Sequence, residues 1–170
     1  PNNKLVYPAG ECKNKYVLKN KPLTYTINFQ NTGTAEAINV YVIDTISSYL
    51  NINSVRVIAQ SHPQLITETF NNKWIRFKFD NINLPGLGLD PQPSVESTQG
   101  WIEFKLNTWP CMPPYGDYFS TNANVTFIGN GGNFNETIAT NTVFQSLFVC
   151  GSGCISDFRS QKTENNPISG

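Results

Sequence analysis

Few side chains in this sequence offer chemistry beyond packing: Cys12, Cys111, Cys150 and Cys154, a single histidine at position 62, and carboxylates at Asp80, Asp90, Glu96, Glu103 and Asp117. An even number of cysteines in a chain that is poor in charge and rich in Asn favours disulfides and an oxidising compartment. Zinc is the rival reading. It is weakened by the spacing of Cys150-Gly-Ser-Gly-Cys154, by the lack of a second cysteine pair and by the lone histidine. His62 lies between Ser61 and Pro63, a turn setting around which no nucleophile and acid can be placed, so a surface or packing role is favoured over catalysis. The sequence has no G-x-S-x-G elbow, no phosphate-cradling G-x-x-x-x-G-K-[ST] loop and no H-E-x-x-H helix. Two carboxylates could hydrolyse a glycoside only across a substrate cleft, for which nothing in the sequence argues.

Two kinds of binding site deserve weighing. Asp80, Asn81, Asp90 and Glu96 flank one long loop and supply the hard oxygen ligands that calcium takes, although solvated loop acids are the simpler reading, because no D-x-[DN]-x-[DN]-G loop accompanies them. Trp74 and Trp101 fall on the polar faces of their predicted strands, where exposed rings could stack on a flat sugar. If those two strands pair antiparallel, Trp74 lies near Lys105, Arg76 near Glu103 and Lys78 near Trp101. That arrangement favours cross-strand cation–π and ion-pair contacts over a continuous sugar platform. Modification signals are weak: Asn124-Val125-Thr126 and Asn135-Glu136-Thr137 match the N-glycosylation acceptor.

The elements that must carry these residues repeat with a period of two. Leu23, Tyr25, Ile27 and Phe29 alternate with Thr24, Thr26, Asn28 and Gln30, and Asn31-Thr32-Gly33-Thr34 closes that strand with turn chemistry. Further strands are predicted at about 36–43, 54–59, 64–70, 74–80, 101–107, 118–128 and 137–149, with Asn71-Asn72-Lys73 a hairpin turn and Asp44 placed to cap a helical turn through Leu50. Ile27, Phe29, Val40, Phe77, Phe79, Phe104, Val125 and Phe127 are the expected core. No helical period of useful length occurs. Residues 83–100, with Pro85, Gly86, Gly88, Pro91 and Pro93, are too irregular for a strand and read as a functional loop or a surface crossover. Seven to eight short strands separated by turns describe an all-β, antiparallel β-sandwich over residues 1–149, with a cysteine-containing tail or linker over 150–170.

The charge pattern removes whole classes of partner. With 12 basic and 12 acidic residues among 170, no field attracts phosphate backbones or anionic lipid, and no apolar run approaches the ~20 residues of a membrane span, so neither nucleic acid nor membrane insertion is expected. Asn alone occupies 22 positions, as suits the surface of a secreted β protein.

Leu23-Thr24-Tyr25-Thr26-Ile27-Asn28-Phe29-Gln30-Asn31-Thr32-Gly33-Thr34-Ala35 resembles the strand-and-turn signature of immunoglobulin-like conserved-repeat domains of secreted and cell-surface Bacteroidota proteins, which often precede a type IX sorting domain. Other pieces follow in the same order: Pro8-Ala9-Gly10, Val42-Ile43-Asp44-Thr45-Ile46, Ser61-His62-Pro63, Phe77 to Pro85 and Thr140-Asn141-Thr142-Val143. The chain departs from that pattern in the Gly-Leu-Gly-Leu-Asp-Pro stretch after Pro85, in a longer Gly/Asn insert in the last hairpin and in its extra cysteines. The resemblance implies an immunoglobulin-like β-sandwich module without catalysis of its own; no cofactor is expected, calcium apart. It also implies an extracellular or cell-surface setting. Such a module is a monomeric spacer or stalk, with adhesion as an added role, whose partners are the neighbouring domains of its own polypeptide; surface polysaccharide would be the partner in the carbohydrate-binding alternative. In the same setting Thr45, in Asp44-Thr45-Ile46, matches an O-glycosylation acceptor. Immunoglobulin-like topology would gather the four cysteines at one pole. The Gly-Ser-Gly spacer lets Cys150 join Cys154, leaving Cys12 for Cys111.

Overall fold

In the computed structural model, the residues described are 2–10, 15–18, 21–109, 118–130 and 135–148. They form eleven strands: β1 (Asn3–Tyr7), β2 (Tyr16–Leu18), β3 (Pro22–Gln30), β4 (Asn39–Thr45), β5 (Leu50–Gln60), β6 (Leu65–Phe70), β7 (Trp74–Phe79), β8 (Gln99–Thr108), β9 (Tyr118–Ile128), β10 (Asn135–Ala139) and β11 (Val143–Phe148). One sheet has the order β1-β3-β8-β5. The other runs β2-β11-β9-β4-β7-β6, with β10 also on β9. Every pairing is antiparallel except β2 with β11.

The alternation in β3 does what its period demands. Leu23, Tyr25, Ile27 and Phe29 are buried and meet Ile75, Phe77 and Phe79 of β7 and Val125 and Phe127 of β9 across the sandwich. Phe29 lies 5.3 Å from Phe79 and 6.4 Å from Phe127, ring centre to ring centre, while Phe77 approaches Phe104 to 4.7 Å. All eight expected core residues are buried. At roughly 1.5–3 kcal/mol for each large apolar side chain, this layer dominates the folding free energy.

The strand number exceeds the expected seven or eight for two reasons. β1 and β2 are short and carry little apolar alternation. The run predicted at 137–149 is two strands, split where Thr140 turns its amide onto the Ala123 carbonyl (2.8 Å). Asp44 caps no helix: it lies inside β4, paired with Ile75 and Ala123, and β5 begins at Leu50.

The 83–100 segment is a fastened crossover from one sheet to the other. Asn31, 2% exposed, donates from Nδ2 to the carbonyls of Ala35 (2.9 Å) and Leu84 (3.0 Å), and its Oδ1 accepts the Gly33 amide (3.1 Å). The amides of Leu87 and Gly88 return to the carbonyls of Asn31 and Gly33. Gly86 sits so close to the Gly33 and Ala35 carbonyls that no Cβ fits there. The Asn-Thr-Gly-Thr-Ala motif is therefore a socket for the crossover as well as a turn.

Candidate functional site

β1 runs against hydrophobic expectation. In Asn3-Lys4-Leu5-Val6-Tyr7 the lysine points inward and is fully buried, while Leu5 is 55% and Tyr7 75% exposed. The partner of Lys4 explains the inversion: its Nζ lies 2.6 Å from both Oδ1 and Oδ2 of Asp44, whose carboxylate is equally inaccessible. The Tyr25 ring covers the ammonium at 4.7 Å, and the Tyr25 hydroxyl donates to Gln145 Oε1 at 3.4 Å. Buried polar atoms at Gln145 Nε2 and Thr121 Oγ1 have no hydrogen-bond partner. Asn141 holds the backbone of the lysine from the edge, its Oδ1 accepting the Lys4 amide (2.8 Å) and its Nδ2 donating to the Lys4 carbonyl (3.0 Å).

The electrostatics of this cluster follow from burial. Desolvation pulls the Lys4 amine below its ordinary range and pushes the Asp44 carboxyl above its own, and the attraction between them only partly offsets either effect. Burial, reinforced by the nearby Asp44, also raises the Tyr25 phenol. Sequence reading missed the pair because its members lie 40 positions apart and neither stands in a motif for a charged core. The one available signal was a lysine at an inward position of a short strand.

The predicted surface sites are dispersed. Trp74 in β7 pairs with Thr45 and Phe70, whereas Trp101 in β8 pairs with Asn28, so the two rings belong to different sheets and share no platform. The contacts expected between β7 and β8 do not exist. Arg76 donates instead to Glu68 (2.7 Å) and covers the Phe70 ring, and Lys78 reaches Asp80 (3.7 Å) and the Tyr41 ring. Lys73 covers Trp74 at 5.1 Å. Cation–π and ion-pair contacts thus occur, but with neighbours in the same sheet. Trp101, 38% exposed, borders a groove of about 260 Å³ with Asn3, Asn28 and Gln99, and the Asn28 amide donates to Asn3 Oδ1 at 2.7 Å.

Among the described residues, no three His, Cys, Asp or Glu side chains gather into a metal-binding group, so Asp80, Asp90 and Glu96 are not brought together. His62 Nδ1 lies 2.8 Å from Ser61 Oγ, and burial lowers its pKa. Thr45 is half-buried on the wall of a cleft of about 570 Å³ that also includes Tyr49, Lys73 and Phe119. Asn124 is exposed in β9 and Asn135 opens β10. Cys12, Cys111, Cys150 and Cys154, Asp117 and the 150–170 tail lie outside the described residues. No helix in the described residues is long and apolar enough to cross a membrane.

Residues 1–146 match a family described as a domain of unknown function, DUF7619. No curated protein matches. Among solved structures, domains D2 and D3 of the major pilin SpaD of Corynebacterium diphtheriae superpose with a TM-score of 0.57 at 13% identity, over 85% of this chain and 51% of that one. The C-terminal domain of the AgI/II polypeptide BspA of Streptococcus agalactiae gives 0.56 at 16%, over 86% and 49%. BcpA, the major pilin subunit of Bacillus cereus, gives 0.56 at 11%, over 86% and 40%. At these identities the likeness is one of fold. The chain spans about half, or less, of the length of each.

Proposed function

Because the chain belongs to the DUF7619 family and folds as the sandwich seen in bacterial pilins and surface adhesins, we propose that it is a non-catalytic spacer or stalk module of a larger secreted or cell-surface protein. The observation that carries this reading is the placement of the reactive groups. The Lys4 amine and the Asp44 carboxylate, a fully buried acid–base contact, are sealed inside the core where no substrate reaches them. The Leu23–Ala35 signature extends the proposal to a Bacteroidota chain bearing a type IX sorting domain. The Cys12–Cys111 and Cys150–Cys154 bridges belong to the same proposal.

The test uses the full-length host chain. Replacing this module with an unrelated sandwich of similar length should preserve surface display and the activity of the neighbouring domains. Loss of a specific activity on that exchange, with display intact, would overturn the spacer role. A carbohydrate-binding reading is favoured by one observation, the exposed Trp101 ring beside the Asn3–Asn28 amide shelf. Retention of the purified domain on an insoluble polysaccharide, abolished by Trp101→Ala, would establish it over the spacer.

A further inference from the structure

At the middle of the core a primary amine touches a carboxyl group, both wholly inaccessible to solvent, with the nitrogen equally close to the two carboxyl oxygens at 2.6 Å. The contact is held rigidly. Lys4 is fixed by its ladder to Ile27 and by both ends of the Asn141 amide, and Asp44 sits between Ile75 and Ala123 at the centre of its sheet. Reacting atoms so placed enjoy the proximity that lets an intramolecular reaction run where the bimolecular one does not. We propose that Lys4 and Asp44 condense into an intramolecular amide between Nζ and Cγ, a covalent clamp joining β1 of one sheet to β4 of the other.

The step balances without a co-reactant. One ammonium proton passes to a carboxylate oxygen, leaving a neutral amine and a neutral acid, the forms toward which burial drives both groups. The amine lone pair then forms the N–Cγ bond. The protonated oxygen departs as water with its own proton and a second one from nitrogen, so the Cγ–O bond breaks, one N–H and one C=O remain, and nothing is oxidised or reduced. The product replaces two buried charges by one neutral amide, removing the desolvation penalty that an ion pair suffers in an apolar core. Tyr25, whose ring lies 4.7 Å from Nζ, and the aromatic stack behind it at Phe104 and Phe77 keep the site dry.

Intact-mass measurement on the reduced, denatured domain tests the clamp without any variant. The expected mass is that of the sequence less one water, with a branched peptide joining Lys4 to Asp44 after digestion. A mass equal to the sequence overturns the proposal. So does loss of water traced to a linear peptide, and so does loss of ammonia with a branch from Lys4 to Asn141, which would make the amide side chain the acceptor. Lys4→Arg, which keeps a cation but lacks the amine nucleophile, should return to the full sequence mass; a variant still lighter by water would refute the assignment. These outcomes are independent of the stalk reading, since a sandwich can space domains with or without the clamp.

Discussion

At the scale of single residues, Lys4 and Asp44 show how a fold can require what a hydropathy pattern forbids. Removing one partner strands the other in a dry core, so Asp44→Ala should cost at least about 3–5 kcal/mol, read as a lower midpoint in equilibrium urea unfolding. His62 supplies a pH prediction. Burial lowers its folded pKa below the unfolded value of about 6.5, so the unfolded chain binds its proton first. Its contribution is complete above the unfolded pKa and is lost as pH falls through the interval down to the folded pKa. Stability should therefore decline as pH falls below about 6.5, and His62→Gln should show a shallower decline in parallel urea titrations.

At the scale of elements, the Asn31 socket explains why a turn motif reads so clearly in the sequence. Its side chain makes three hydrogen bonds that bind the turn to the 84–88 segment, and Asn31→Ala would leave the Leu84 and Ala35 carbonyls with one donor fewer. The expected cost is roughly 2–4 kcal/mol, with faster proteolysis within 84–98 as the local readout. Gly100 is a second fixed point: a Cβ there would strike the Phe29 ring, so Gly100→Ala should destabilise by about 1–3 kcal/mol through overpacking, measurable in the same unfolding assay. The β3, β7, β8 and β9 strands were legible because their inward positions are uniformly large and apolar while their outward ones are polar. β1 was not, since its exposed Leu5 and Tyr7 and buried Lys4 reverse that code. Pairing partners were also beyond the pattern. Period two says which face a residue takes but not which strand lies beside it, and so it leaves open whether Trp74 and Trp101 stand on neighbouring strands, when they belong to separate sheets. The charged pair was hidden for the same reason, as only tertiary structure brings position 4 to position 44.

At the scale of the whole molecule, the position of the clamp decides how the domain would bear a load. β1 is the edge strand of its sheet, laddered to β3 alone and held on its other side by the Asn141 side chain, so tension on the N-terminal end peels it first, whereas β4 is flanked by β7 and β9 at the interior of the other sheet. A Lys4–Asp44 amide would carry force directly from the edge strand to the interior one and bypass the 40-position interval between them. Stretched in a single-molecule pulling experiment through its two ends, the domain should release a contour length short of the full chain by that interval. At ~3.3–3.6 Å per residue the deficit is roughly 130–145 Å. The Lys4→Arg variant should recover the missing length and should unfold at lower force, because its β1 is fastened by hydrogen bonds alone. Release of the full contour length from the wild-type domain would mean that β1 peels freely and that no covalent bond joins the two sheets.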